Sequence, residues 1–210
     1  MTTRDAGWAR ALAARLARAR VSPNHISAAS LVAAAAAGAC FAACPQVAES
    51  GVRAALLVGA AVGIQLRLLC NMLDGMVAVE GGLRSPTGAV WNEVPDRVAD
   101  AMILVGAGYA AAAWHGIELG WAATAGALLT AYIRALGGEL GRPGLFHGPM
   151  AKPHRMALLT VSALVAAALP AWWERVLAAA LALILFGTVI TSWRRLRALT
   201  THLESPCSPS

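Results

Sequence analysis

Apolar residues run along this chain in six long blocks, at about 27–47, 53–79, 88–114, 118–138, 156–172 and 174–193. A helix needs about 20 apolar residues to cross a bilayer core, so the second and third blocks exceed the requirement and the fifth falls short of it. Charged residues gather between the blocks. The exception is the stretch from Asn71 to Asp100, which sets polar and acidic residues into the end of block two and the start of block three. The pattern predicts an all-α integral membrane protein with six transmembrane helices.

Ahead of the first block, residues 4–20 interleave Arg4, Arg10, Arg15, Arg18 and Arg20 with Ala, Leu and Trp8. Such a helix has a basic and an apolar face and suits an anionic membrane surface. Pro23 disfavours helix at Ser22, and Ser27 is expected to cap the helix that follows. The chain therefore divides into an amphipathic juxtamembrane helix (1–22), a six-helix transmembrane domain (23–193) and a basic, then disordered tail (194–210). The first apolar run is long enough to span, so no cleavable signal is expected.

Composition agrees. Of 210 residues, 58% are hydrophobic and 13% charged, against about 25% charged in a soluble domain. The net charge of +6 lies between apolar blocks, which favours lipid headgroups or phosphorylated substrates and argues against nucleic acid. With the N-terminus in the cytoplasm, fifteen of the 17 Lys and Arg fall on the cytoplasmic side, leaving Arg53 and Arg175 outside. That bias sets both termini inside and the polar stretch at the cytoplasmic face, in a bacterial inner (plasma) membrane. Cys40, Cys44 and Cys70 lie in apolar runs and Cys207 in the tail, as small packing residues rather than a disulfide framework.

Arg67, Asn71, Asp74 and Ala78 are spaced 4, 3 and 4 apart, and Gly88, Asn92, Asp96 and Asp100 by fours. Each set shares one helical face. The connecting loop is short, so the two helices are expected as antiparallel neighbours. At about 1.5 Å per residue, Asn71 and Asp74 lie on the order of 9–14 Å in from Glu80, and Asn92 and Asp96 on the order of 6–12 Å in from Gly88. The depths match, and the faces can converge. Oxygen ligands without His or Cys suit hard cations such as Mg2+, Mn2+ or Ca2+. Gly75, Ala78 and Gly88 lack bulk and would let a nucleotide approach the backbone. Two other readings stand beside this one. Arg67 could pair with Asp74 or Asp96 in a buried network, or the stripe could line an ion path. The latter usually comes with inverted repeats or broken helices, and neither is visible.

The same stretch resembles the motif of the CDP-alcohol phosphatidyltransferases, D-x2-D-G-x2-A-R-x8-G-x3-D-x3-D. Laid on the chain without gaps it gives Asn71, Asp74, Gly75, Ala78, Val79, Gly88, Asn92 and Asp96. Ser22-Pro23-Asn24-His25-Ile26-Ser27 is similar to the P-N-x-[IL]-[ST] opening of that family. The resemblance implies a metal-dependent transferase that moves a phosphatidyl group from a CDP-linked lipid, such as CDP-diacylglycerol, to an alcohol acceptor and releases CMP. It implies Mg2+ or Mn2+, a homodimer, Asp74 as metal ligand, Asp96 as metal-associated general base, and Gly75, Ala78 and Gly88 around the CDP moiety.

Three positions depart from the motif: Asn71 and Asn92 stand where acids are usual, and Val79 where Arg is usual. An amide still offers a carbonyl oxygen, but two lost charges should weaken metal binding or reduce two ions to one. Asp100 is expected to restore one charge as an outer ligand, and Arg84 to reach a phosphate in place of the missing Arg. The basic run Arg134, Arg142, Lys152 and Arg155 suits the phosphate of an acceptor or of the lipid diphosphate. Arg134, inside an apolar block, demands a partner. Arg194, Arg195 and Arg197 read as headgroup anchors, and Trp172, Trp173 and Trp193 as an interfacial belt. The departures leave a catalytically inactive family member, or a small-solute or ion transporter, as the alternative function.

Overall fold

The computed structural model describes residues 7–80, 87–145 and 148–204. The side chains of Glu80, Ala89 and Asn92 fall outside that set, as do Arg4, Arg84 and His147. Most of the described residues are helical, and none of them forms a strand. A short helix α1 (Gly7–Arg18) precedes α2 (Pro23–Ala43), α3 (Ser50–Glu80), α4 (Gly88–Ala110), α5 (Gly116–Glu139), α6 (Lys152–Ala168) and α7 (Trp173–Glu204).

Four of these, α2 with its short extension to Gln46, α3, α5 and α7, are long and apolar enough to cross a membrane. The apolar character of α4 and α6 is interrupted by charge near their starts: Glu93, Asp96, Arg97 and Asp100 in α4, Lys152 and Arg155 in the first turn of α6. Those charges belong to the site described below.

The α1–α2 turn closes as a Schellman motif. Arg20 takes a left-handed φ of 55°, while Val21 N–H donates to Leu16 O at 3.1 Å and Arg20 N–H to Ala17 O at 3.0 Å. Ser22, held extended before Pro23, is the N-cap of α2, and its side chain accepts from Asn24 N–H. The cap is therefore Ser22 and not Ser27, because the proline at the first helical position starts the helix one turn earlier than expected. α1 buries Ala9 and Ala13 in a small cluster with Ile26, Leu73, Met76 and Val77.

α2 packs against both α3 and α4, while α3 and α4 touch each other lightly. The expectation that α3 and α4 pack as direct neighbours is therefore corrected. Small residues explain it, since they let backbones approach closely. A Cβ on Gly38 would stand 2.5 Å from the main-chain oxygen of Met102, and one on Gly106 2.5 Å from that of Gly38. The α2–α4 crossing thus draws α4 onto α2. The main core, including Phe41, Leu57, Ile64, Ile103, Leu104, Leu159, Leu177 and Ile184, fills the space between the long helices.

Two further points concern the expected tail and belt. The basic start of the tail is helical, since α7 continues through it to Glu204, held by the buried Arg195 and Leu199, and residues 205–210 lie outside the described residues. Trp173 is no belt residue but part of the core, with the Arg53 guanidinium 5.0 Å over its ring. Trp172 and Trp193 are exposed, and Arg175 lies over the rings of Trp114 and Trp172 at 4.5 and 4.8 Å.

Candidate active site

α3 and α4 meet through charge. Arg67, fully buried on α3, donates from one Nη2 to Asp100 Oδ1 at 2.7 Å, to Asp96 Oδ1 at 3.2 Å and to the Asp96 main-chain oxygen at 3.2 Å. Arg155, from the first turn of α6, donates to Asp100 Oδ2 at 3.0 Å and to Met150 O at 3.0 Å. Both oxygens of Asp100 are thus engaged by buried guanidiniums. Asp100, expected as an outer metal ligand, is held here between two cations, an arrangement that suits an anchor. Pro95, inside α4, has no N–H for the helix ladder, one residue before the main-chain oxygen that Arg67 claims.

Above this layer lie the motif oxygens. Asp74 is buried; its Oδ2 accepts from Ser27 Oγ at 2.7 Å and its Oδ1 from Gly75 N–H at 2.6 Å. Ser27 therefore ties the opening motif on α2 to the acidic motif on α3. Lys152 Nζ donates to Asn71 Oδ1 at 2.7 Å and pairs with Asp96 Oδ2. Gly75 and Ala78 are half-buried on the last turns of α3, and Gly88 opens α4. Asn92 lies on the same helix one turn before Asp96, with its side chain outside the described set, and Arg84 lies outside the described residues.

Asn71 and Asp96 line a cavity of about 300 Å³ whose wall also carries Arg97, Arg134, Lys152, Arg155 and Arg195. Glu93 spans Arg97 and Arg134 and is the partner Arg134 requires. Arg195 is buried and donates to Thr130 O at 2.6 Å, so it serves this wall and not the headgroup region. A signal for it lay in the sequence. Thr188, Thr191, Ser192 and Arg195 recur at helical spacing through an apolar block, and all four are buried. Arg142 is not among the residues lining the cavity; it donates to the main-chain oxygen of Ala198 and fastens the α5–α6 connection to α7.

The donors suit a hard cation in kind. Asn71 Oδ1 and Asp96 Oδ2, from different helices, already converge on one cationic group, the Lys152 ammonium. Among the described residues no three His, Cys, Asp or Glu side chains stand together as a metal site. The amide at 71 explains part of that, since it offers an oxygen without the charge.

No family model matches the chain. A 107-residue part of it, half the chain, is 37% identical to the bifunctional IPC transferase and DIPP synthase of Rubrobacter xylanophilus, and that match spans 24% of the relative's length. Among solved structures, the fold is similar to phosphatidylinositol phosphate synthase of Mycobacterium tuberculosis with CDP-DAG bound. There the TM-score is 0.75 and the identity 23%, over 93% of this chain and 95% of that one. The same synthase in complex with manganese and citrate gives a TM-score of 0.75 at 22% identity, over 92% of this chain and 89% of that one. The chain thus has the fold of that synthase.

Proposed function

We propose that this chain is an integral-membrane CDP-alcohol phosphotransferase that moves a phosphatidyl group from a CDP-diacylglycerol-type lipid to a phosphorylated alcohol, releasing CMP. The observation that carries the reading is the cavity, where Asn71 and Asp96 of the motif share the wall with five Arg and Lys side chains. Guanidinium groups present paired donors that match phosphate oxygens, so the wall suits an acceptor that bears its own phosphate. The motif likeness, the fold and the named relatives support the same class of chemistry.

In the reaction, the acceptor hydroxyl oxygen attacks the phosphorus that bears the diacylglycerol. The bond from that phosphorus to the oxygen bridging to CMP breaks, and the hydroxyl proton passes to Asp96. Asp96 Oδ2 is held by Lys152 at the cavity edge, so the acceptor hydroxyl displaces the ammonium as it docks. Asp74, fixed by Ser27 and Gly75, and the Asn71 carbonyl oxygen would hold Mg2+ or Mn2+. A bound divalent ion would supply charge neutralisation at the diphosphate. Gly75, Ala78 and Gly88 would border the CDP moiety. Val79 is exposed and leaves its usual basic role to the cavity wall.

The membrane arrangement belongs to the same proposal. All six long helices span, α1 lies along the cytoplasmic surface, both termini and the site face the cytoplasm, and the protein works as a homodimer in the bacterial inner membrane. The charges in the N-terminal half of α4 and the first turn of α6 support this, since they gather at the end of the bundle where the positive-inside bias places the cytoplasm. The test is a screen of acceptor alcohols with radiolabelled CDP-diacylglycerol and Mn2+ or Mg2+. Phosphorylated polyols should yield labelled lipid product and CMP; turnover confined to uncharged alcohols would exclude the acceptor assignment.

A further inference from the structure

Lys152 stands where the family resemblance leads one to look for a metal. Its Nζ reaches Asn71 Oδ1 at 2.7 Å from the α3 motif and pairs with Asp96 Oδ2 from the α4 motif. Its side chain is 20% exposed, so the ammonium sits at the inner edge of the cavity and not in open solvent. Two of the motif's usual acids are amides here. A site with four acids could neutralise two divalent ions; Asp74 and Asp96 alone could neutralise one. The ammonium already offsets part of that remaining charge. The other cations of the cluster are committed elsewhere: Arg67 to Asp96 and Asp100, and Arg155 to Asp100 and Met150 O.

We propose that the Lys152 ammonium is a built-in replacement for one divalent cation, so that each chain binds a single Mg2+ or Mn2+. The proposal deepens the transferase reading and rests on it for the role of the motif oxygens. An ammonium between two oxygens supplies direction and one positive charge without a dissociation step. Unlike an ion, it can withdraw on its four-carbon stem when the acceptor docks. The exchange of acid for amide at 71 belongs to the same adaptation. A carboxylate there would take the ammonium as a tight ion pair and hold it away from Asp96.

The experiment titrates Mn2+ into the purified full chain in lipid nanodiscs and counts bound ions from the electron paramagnetic resonance signal of the free aqua ion. The wild type should bind one Mn2+ per chain. Asn71→Asp/Asn92→Asp, with Lys152 kept, should also bind one, more tightly. Adding Lys152→Gln to that pair should raise the count to two. Lys152→Gln alone should bind its single ion at least tenfold more tightly, because a like charge has been removed. Lys152→Met, which keeps the apolar stem, serves as the second variant if the glutamine form does not yield folded protein. Two ions or none in the wild type, one ion in the triple variant, or weaker Mn2+ binding without Lys152 would each overturn the proposal. CMP release is recorded in parallel. Its absence with every acceptor, alongside the expected ion counts, would remove the transferase reading and leave the ion count standing.

Discussion

Asp100 offers the clearest separation of an anchor from a ligand. Its two oxygens accept from Arg67 at 2.7 Å and Arg155 at 3.0 Å, and the three side chains are 0–3% exposed. Arg67 Nε and Nη1 and Arg155 Nε are already buried without a partner among the described residues. Asp100→Asn keeps the shape but removes the one charge that both guanidiniums share. Breaking a buried ion pair by removing one partner costs about 3–5 kcal/mol. For a chain of this size each kcal/mol shifts Tm by about 2–4 °C, so the melting temperature should fall by about 6–20 °C. The assay is thermal unfolding of the purified protein in detergent, followed by tryptophan fluorescence, with Mn2+ affinity measured on the same sample below the transition. Mn2+ affinity should change less than threefold. A Tm within about a degree of wild type, together with a tenfold loss of Mn2+ affinity, would refute the anchor and return Asp100 to the ligand set.

Other consequences are as direct. Ser27→Ala removes a hydrogen bond to a buried carboxylate, worth about 1.5–3 kcal/mol; kcat/KM should fall on the order of tenfold, while Ser27→Thr, which keeps the hydroxyl, should restore most of it. Arg195→Gln should raise KM for a phosphorylated acceptor and leave KM for the CDP-lipid near wild type, measured by varying one substrate at saturating levels of the other. Arg142→Ala should leave the acceptor KM unchanged, because Arg142 fastens a loop and does not line the cavity; a large rise would place it in the site. Gly106→Val should prevent accumulation of folded protein, because a Cβ at 106 already meets the backbone of Gly38, and gel filtration after membrane extraction reads the loss.

Much of this arrangement is legible in the order of residues. The two polar stripes at helical spacing on α3 and α4 put Asn71 and Asp74 at a depth matching Asn92 and Asp96, and the structure links the stripes through Arg67, which reaches Asp96 and Asp100, and Lys152, which reaches Asn71 and Asp96. The break at Ser22-Pro23 was readable from the proline, but the start of α2 was placed a turn late, because Ser27 also has the chemistry of a cap. What periodicity could not show is which helix lies between which. The contact of α2 with α4 depends on Gly38 and Gly106, 68 positions apart, and no local pattern marks that pairing. The roles of Ser27 and Arg195 escaped for a related reason. Each looks like a local feature, a cap or an anchor, until a partner distant in sequence, Asp74 or Thr130, turns out to lie beside it. The two guanidiniums around Asp100 escaped as well, because spacing reveals a shared face but not the charge of what faces it.

The central claim is that Asp96 removes the proton from an alcohol as a CDP-linked lipid is opened. The most direct measurement is CMP release from CDP-diacylglycerol by wild type and Asp96→Asn, with Mn2+ and a phosphorylated polyol present and both proteins shown by melting to be folded. The account predicts steady CMP release by the wild type and at least a hundredfold lower rate in the variant, the scale at which general-base catalysis typically contributes. Equal rates in the two proteins, or no CMP from folded wild type with any acceptor, would contradict it.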